Sequence, residues 1–256
     1  MQAPYDLGQP YFVGMPHFPN HPPFLFGLTK LHSEIVLPDG GSSAADVITM
    51  GGHTGTHIDA LNHFSCAGKF FDGQDVVPVQ SYGGGVRHLS VDTIQPIARR
   101  AVLLDVAGLM SVDELDADTV ITQEHLEQCG ASIREGDIVL VRTGWGRLFR
   151  DPARYASALR MPGVALEGAT WLSGQRPFAV GSDTLAFEKM PSPKMAVHVH
   201  LLVEKGIHII ENLNLEALAK DNVREFQFIG APLKIEGGTG APIRPLGFVQ
   251  STSSIR

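Results

Sequence analysis

The residues with the most chemical potential fall in one short stretch, His53-Thr54-Gly55-Thr56-His57-Ile58-Asp59-Ala60-Leu61-Asn62-His63. Three imidazoles and a carboxylate sit there among glycine and small hydroxyl residues. Nitrogen and oxygen donors at this density suit a divalent transition metal. His17, His21, His32, His88, His125 and His208 have no comparable donor neighbourhood and are read as structural. Two imidazoles and one carboxylate leave a coordination position for water, and metal-bound water ionises at about pH 7 instead of about pH 16. His63 lies beside these donors and titrates near neutrality, so it is the expected proton carrier, while direct ligation by His63 also fits the spacing. A closed structural site would favour four ligands, often thiolates, and the motif contains no cysteine. A metal-dependent small-molecule binding protein is the non-enzymatic alternative, but it has no need of an acid–base residue. The expected chemistry is therefore metal-assisted hydrolysis of a small-molecule substrate.

His53, Gly55, Thr56, His57, Asp59 and His63 also match a longer pattern. The string resembles the His-x-Gly-Thr-His-x-Asp-x-Pro-x-His signature of the metal-dependent cyclase-like hydrolases, a family that includes bacterial kynurenine formamidase and isatin hydrolase. Leu61 stands where that family usually has proline, which removes a rigid φ but no ligand. The expectation is that Leu61 alters the pocket more than the metal. Further segments are similar to family elements, in order: Gly14 to Pro19, Gly136 to Trp145, Val180 to Thr184, Ile209 to Leu213, and the turn from Gly237 to Pro242.

The resemblance implies His53, His57 and Asp59 as first-metal ligands, with Asp59 able to bridge two ions and Glu211 as a second bridging carboxylate. A histidine on the preceding helix would complete a second site. His198 and His200 both occur there, and two residues apart on a helix they point in different directions. The Leu201-Leu202 pair that follows favours His198, with His200 as the alternative. Phe18 replaces a family tryptophan and matches a substrate-contacting aromatic. The implied cofactor is Mn2+ or Zn2+, as one or two ions. The implied reaction is cleavage of a C–N bond in a small cyclic amide or lactam, with an N-formyl aryl amide second and a lactone or cyclising reaction third. The implied assembly is a homodimer or larger homo-oligomer.

These side chains need a scaffold. Helical and extended periods differ, so no regular element puts all four motif donors on one face, and an irregular turn permitted by Gly51, Gly52 and Gly55 is expected. Residues 1 to 40 are rich in proline, glycine and aromatics and read as an extended arm with turns, since Pro16, Pro19, Pro22 and Pro23 oppose a helix. Of the aromatics Tyr11, Phe12, Phe18, Phe24 and Phe26, most are expected to pin that arm to the body. Apolar runs predict strands at Ala101 to Val106, Ile138 to Val141, Phe178 to Val180 and Ile207 to Ile210. Asp105 interrupts the first run, as a strand-end hydrogen-bonding residue or a functional one. Helices are predicted at Thr122 to Cys129, with Thr122 as N-cap and Gly130 as stop, at Ala165 to Leu172, and at Met195 to Lys205. Alternation of strand and helix makes this an α/β chain. The resemblance sharpens that to a swivelling β/β/α cyclase-like fold with a Pro-rich N-terminal arm.

The remaining bounds come from composition. At 256 residues with 43% hydrophobic content, the chain can bury a sizeable core, and with no linker or repeat a single domain over 1–256 is the simplest reading. A net charge of −7 without basic runs argues against nucleic-acid binding. Cys66 and Cys129 are too few and too separated for a disulfide framework or zinc–thiolate site, and Cys66 is read as a small buried thiol, not a nucleophile. No apolar run approaches the ~20 residues needed to span a bilayer, and no leader is evident, so a cytoplasmic protein independent of membranes is expected.

Overall fold

A computed structural model describes residues 3–249. Eleven strands matter for the site: β1 Tyr5–Asp6, β2 Leu25–Lys30, β3 Ala45–Thr49, β4 His57–Asp59, β5 Ile97–Asp105, β6 Ile138–Arg142, β7 Ala179–Ser182, β8 His208–Glu211, β9 Glu225–Gly230, β10 Gly240–Pro242 and β11 Leu246–Phe248. Nine form one mixed sheet in the order β1-β11-β9-β5-β6-β7-β8-β4-β10, while β2 and β3 pair separately as a hairpin. The four central strands β5 to β8 run parallel, and the outer ones pair antiparallel.

The central strands are nearly continuous apolar runs, the pattern of a sheet covered on both faces. Side chains alternate across the sheet. Val102, Leu104, Val139, Val141, Val180 and Ile209 face one core, where Leu126, Leu172 and Leu201 from the crossover helices meet them. Ala101, Leu103, Ile138, Leu140, Ala179 and Ile210 face a second core with Phe228 and Ile243. Each fully buried leucine or isoleucine contributes about 1.5–3 kcal/mol.

The crossover helices are α1 Gln123–Gln128, α2 Leu166–Gly174 and α3 Ala196–His198, the last continuing as a π-helical segment Val199–Glu204. Thr122 caps α1 through its hydroxyl, which accepts from His125 N, and Gly130 ends that region at φ +70°. Helix α2 runs through Gly174 to a cap at Gln175, two residues beyond the predicted end, because the left-handed residue that turns the chain is Arg176 (φ 54°). The strand expected at Ala101 to Val106 begins earlier, at Ile97, and ends at Asp105. There the Asp105 carboxylate accepts from Gly108 N at 2.9 Å and pairs with Arg142 Nη1 at 2.9 Å, which settles its role as a strand-end residue.

Three expectations need correction. The motif is not irregular throughout, since His57–Asp59 forms strand β4 between β8 and β10, with Glu211 in register opposite His57 and Gly240 opposite Asp59. Ladder bonds from both sides satisfy this backbone, which an isolated turn would leave to water. The first forty residues are not one arm either. Residues 3 to 24 lie against the body through β1 and a third apolar cluster containing Met15, Phe24, Trp145 and Phe149, whereas β2 and β3 form an exposed hairpin. Tyr11, Phe12, Phe18 and Phe24 do pin the segment. Phe26 does not, being 48% exposed on the hairpin. Cys66 is an exposed free thiol, not a buried one, and Cys129 is a half-buried free thiol.

Candidate metal centre

Strand β4 is the platform. On its N-terminal side Gly55 takes φ +67°, where the phenol of Tyr11 occupies the space a side chain would need. Thr56, fully buried, ties the platform to both flanks: its hydroxyl donates to Asn212 O at 2.6 Å and accepts from Gln9 N at 2.8 Å. Asp59 emerges two residues after His57 on the same face. The neighbouring strand β8 ends in Glu211, so a carboxylate from a distant part of the chain reaches the same point.

The hydrogen bonds leave selected lone pairs turned inward. His57 Nδ1 donates to Gly55 O at 2.8 Å, so Nε2 faces Asp59 Oδ1 at 3.4 Å and Glu211 Oε2 at 3.5 Å. His53 has Nε2 at 2.9 Å from Thr239 Oγ1 and Nδ1 at 2.7 Å from Asp59 Oδ1. His198 donates from Nδ1 to Glu188 Oε1 at 2.7 Å, and its Nε2 stands 3.2 Å from Glu211 Oε1 and 4.0 Å from Asp59 Oδ2. Such outer partners fix the tautomer and orientation of metal-binding imidazoles. Glu211 Oε1 is itself held by Phe187 N at 2.8 Å.

Whether these donors fit a cation can be judged from the atoms themselves. Asp59 Oδ2 is buried with no hydrogen-bond partner, a situation that is costly for a carboxylate oxygen. Donor atoms of His53, His57 and Asp59 lie within 4.8 Å of one another, as do those of Asp59, His198 and Glu211. The two groups share Asp59. Imidazole nitrogens and carboxylate oxygens in such a cluster fit a divalent metal, with Asp59 at the junction.

Electrostatics agree. Burial opposes charge on His57, yet the carboxylates of Asp59 and Glu211 outweigh it and raise its pKa. Burial likewise disfavours charge on His198, but Glu188 and Glu211 push its pKa up to about 10. Asp59 is held well below the usual carboxylate range, because the surrounding imidazoles overcome its burial. The same carboxylates that favour positive charge on these buried imidazoles would favour a bound cation.

Above the donors lies a cavity of about 240 Å³. Its apolar wall includes Phe18, Phe64, Leu185 and Met195, and its polar lining includes His21 and His63. His63 stacks on His53 with ring centroids 3.9 Å apart, and burial holds its pKa well below the ordinary value despite the pull of Asp59. Thus His53, His57, Asp59, His63, His198, Glu211 and Phe18 are brought together as the sequence predicted. His200 is not. It turns away to Ser173 Oγ at 2.9 Å and Glu204 Oε2 at 2.8 Å, as its two-residue offset from His198 along the helix requires. Leu61 is also outside the cavity lining: it packs on the helix-side core and borders a separate cavity with Phe178 and His208.

Sequence reasoning missed Glu188, Thr239 and His21. Thr239 lies in the flagged Gly-Gly-Thr-Gly-Ala-Pro turn, so attention to its hydroxyl would have found it. Glu188 carries no spacing signal. His21 was read as structural, yet it lines the cavity with its ring 5.2 Å from that of His53.

Comparison with known proteins places these features in a wider group. Kynurenine formamidase of Bacillus thuringiensis (strain Al Hakam) is 27% identical over 239 residues, covering 93% of this chain and 94% of that protein. A solved structure described as a novel cyclase superposes with a TM-score of 0.88 at 28% identity, covering 96% of this chain and 87% of that one. Isatin hydrolase A from Ralstonia solanacearum gives a TM-score of 0.73 at 27% identity, covering 97% and 92% respectively. Residues 5–189 match the family described as putative cyclase, and the chain belongs to that family.

Proposed function

We propose that this protein is a metal-dependent hydrolase of the cyclase family that cleaves a C–N bond in a small cyclic amide or lactam, using Mn2+ or Zn2+. The observation that carries the reading is the buried, unpartnered Asp59 Oδ2 at the junction of two donor clusters, beneath a cavity with a histidine at its wall. His53, His57 and Asp59 would hold one ion, and Asp59, His198 and Glu211 a second. A bound divalent ion supplies ionised water near neutral pH and polarises an acyl oxygen.

The chain's own residues do the rest. His57 and His198 are locked by Gly55 O and Glu188, so little reorganisation accompanies binding. Phe18, Phe64 and Leu185 offer apolar surface to a flat substrate and keep bulk water from it. His63 delivers a proton to the leaving nitrogen. Held neutral by burial, it would first take that proton from the attacking water and then pass it on.

An N-formyl aryl amide is the second reading, favoured by the kynurenine formamidases that match nearly the whole chain. Rates of the Mn2+- and Zn2+-loaded protein on isatin, N-formylkynurenine and a simple lactone test both. Fastest turnover of isatin supports the lactam, fastest turnover of the formamide supports the second reading, and no turnover of any removes the hydrolase assignment.

The hairpin supports self-association. Nine apolar side chains between positions 25 and 48 are each 48–63% exposed. At roughly 100 Å² per full side chain they leave on the order of 500 Å² of apolar surface, most of the ~800 Å² per partner of a standard interface. A two-stranded hairpin is marginal alone in water, and a second copy of this chain is the proposed cover. Among the described residues no helix is long and apolar enough to cross a membrane.

A further inference from the structure

Glu211 ends strand β8, and the metal donors gather there. A second cavity, of about 280 Å³, lies where β5, β7 and β8 begin, and Leu61, Gln95, Arg99, Phe178 and His208 are on its wall. Small-molecule sites run from about 300 to 1,000 Å³, so an occupant here is small. Leu61, which stands at the proline position of the motif, lines this cavity and not the one above the metal donors.

Three groups on this wall offer chemistry that the protein itself leaves unused. The Arg99 guanidinium carbon stands 4.4 Å from the centre of the Phe178 ring, and Nη1 donates to Gly136 O at 3.2 Å. Among the described residues no carboxylate pairs with Arg99, whereas its neighbour Arg100 is paired with Asp137 and Glu225. A guanidinium carries five N–H donors, so most of those on Arg99 are open to an anion. His208 Nδ1 donates to Asp59 O at 2.9 Å, which leaves Nε2 of the neutral ring as an acceptor. That Nε2 has no hydrogen-bond partner among the described residues and is not sealed from solvent. The Phe178 ring lies 5.2 Å from the His208 ring, so cation, aromatic face and acceptor adjoin one another.

We propose that this cavity is a second ligand site, for a small aromatic carboxylate that also carries a hydroxyl or amine donor. Arg99 takes the carboxylate, for which its planar fork is suited. His208 Nε2 accepts from the donor group, and Leu61 and Phe178 flank the ring. The site is separate from the metal donors and does not depend on the hydrolase reading.

Calorimetric titration of benzoate, 3-hydroxybenzoate and 4-hydroxybenzoate into the protein tests this, at pH 8, where an ordinary imidazole is neutral, and at constant metal content. At least one hydroxybenzoate is expected to bind about two- to tenfold more tightly than benzoate, the worth of one neutral hydrogen bond. Arg99→Gln, at an exposed side chain, is expected to weaken all three probes by about tenfold or more, with metal content and unfolding midpoint unchanged. Gln95→Trp, also at an exposed position, puts a bulky ring on the wall and is expected to weaken them too. A carboxylate can instead ligate a metal in the other cavity. Binding that is lost on chelation and unmoved by both variants identifies that case and overturns the proposal. So does wild-type protein that binds no probe at millimolar concentration, or that binds benzoate as tightly as both hydroxybenzoates.

Discussion

Gly240→Ala should damage the metal centre although residue 240 carries no donor. Gly240 faces Asp59 across the ladder, and a Cβ built there would stand 2.4 Å from His53 Cε1 and 2.8 Å from its Nδ1. Carbon contacts are normally about 3.5–4.0 Å, so the ring must retreat by on the order of 1 Å. It has little freedom to do so. Asp59 holds Nδ1 at 2.7 Å, Thr239 lies 2.9 Å from Nε2, and His63 stacks on its face at 3.9 Å. Overpacking of this kind costs about 1–3 kcal/mol, and misplacing a catalytic-site group by ~1 Å costs about 100-fold in rate. Urea unfolding with and without Mn2+ reads the stability cost and the weakened metal binding, since a ligand that binds only the folded state stabilises it by an amount set by its affinity. The variant should show a lower midpoint and a smaller gain from Mn2+. Gly174→Ala is the control: nothing lies within 4 Å of the added carbon, and this position at the end of α2 should tolerate alanine or gain up to about 1 kcal/mol. A Gly240→Ala protein with wild-type midpoint and wild-type metal response would refute the close-approach argument.

Other outcomes follow from the same geometry. His63→Ala should keep its metal by elemental analysis and lose about 100- to 10,000-fold in turnover, whereas a wild-type rate removes His63 from proton transfer. His198→Ala should lower the number of ions bound per chain, while His200→Ala should leave it unchanged and cost only about 1 kcal/mol for the bond to Ser173; the reverse pattern would exchange their roles. Phe26 and Ile48 are cross-strand neighbours on the exposed hairpin, so a protein carrying Phe26→Asp and Ile48→Asp should sediment as a monomer with its fold intact. Wild-type protein that already sediments as a monomer would end the self-association proposal.

Much of the scaffold was readable because hydrophobic burial writes a period into sequence. The runs at 101–106 and 138–141 became central parallel strands, and Thr122 and Gly130 bounded a helix by ordinary capping chemistry. The motif donors were legible for another reason: residue type and close spacing alone restrict what they can do. What stayed hidden depends on long-range register. That β4 lies between β8 and β10, and so brings Glu211 opposite His57, is a fact of sheet order that no local pattern encodes. Glu188 supports His198 from ten residues away through a loop, and His21 arrives from the N-terminal segment. The π-helical winding of Val199–Glu204 is equally invisible, because sequence periodicity cannot tell it from an α-helix.

The central claim is that Asp59 joins two groups of donors around a divalent cation. Protein stripped with a chelator and titrated with Mn2+ or Zn2+ by calorimetry, alongside elemental analysis, addresses it directly. The wild type should bind one or two ions per chain, and Asp59→Ala should bind none tightly. An Asp59→Ala protein that retains the wild-type stoichiometry and affinity would contradict the account.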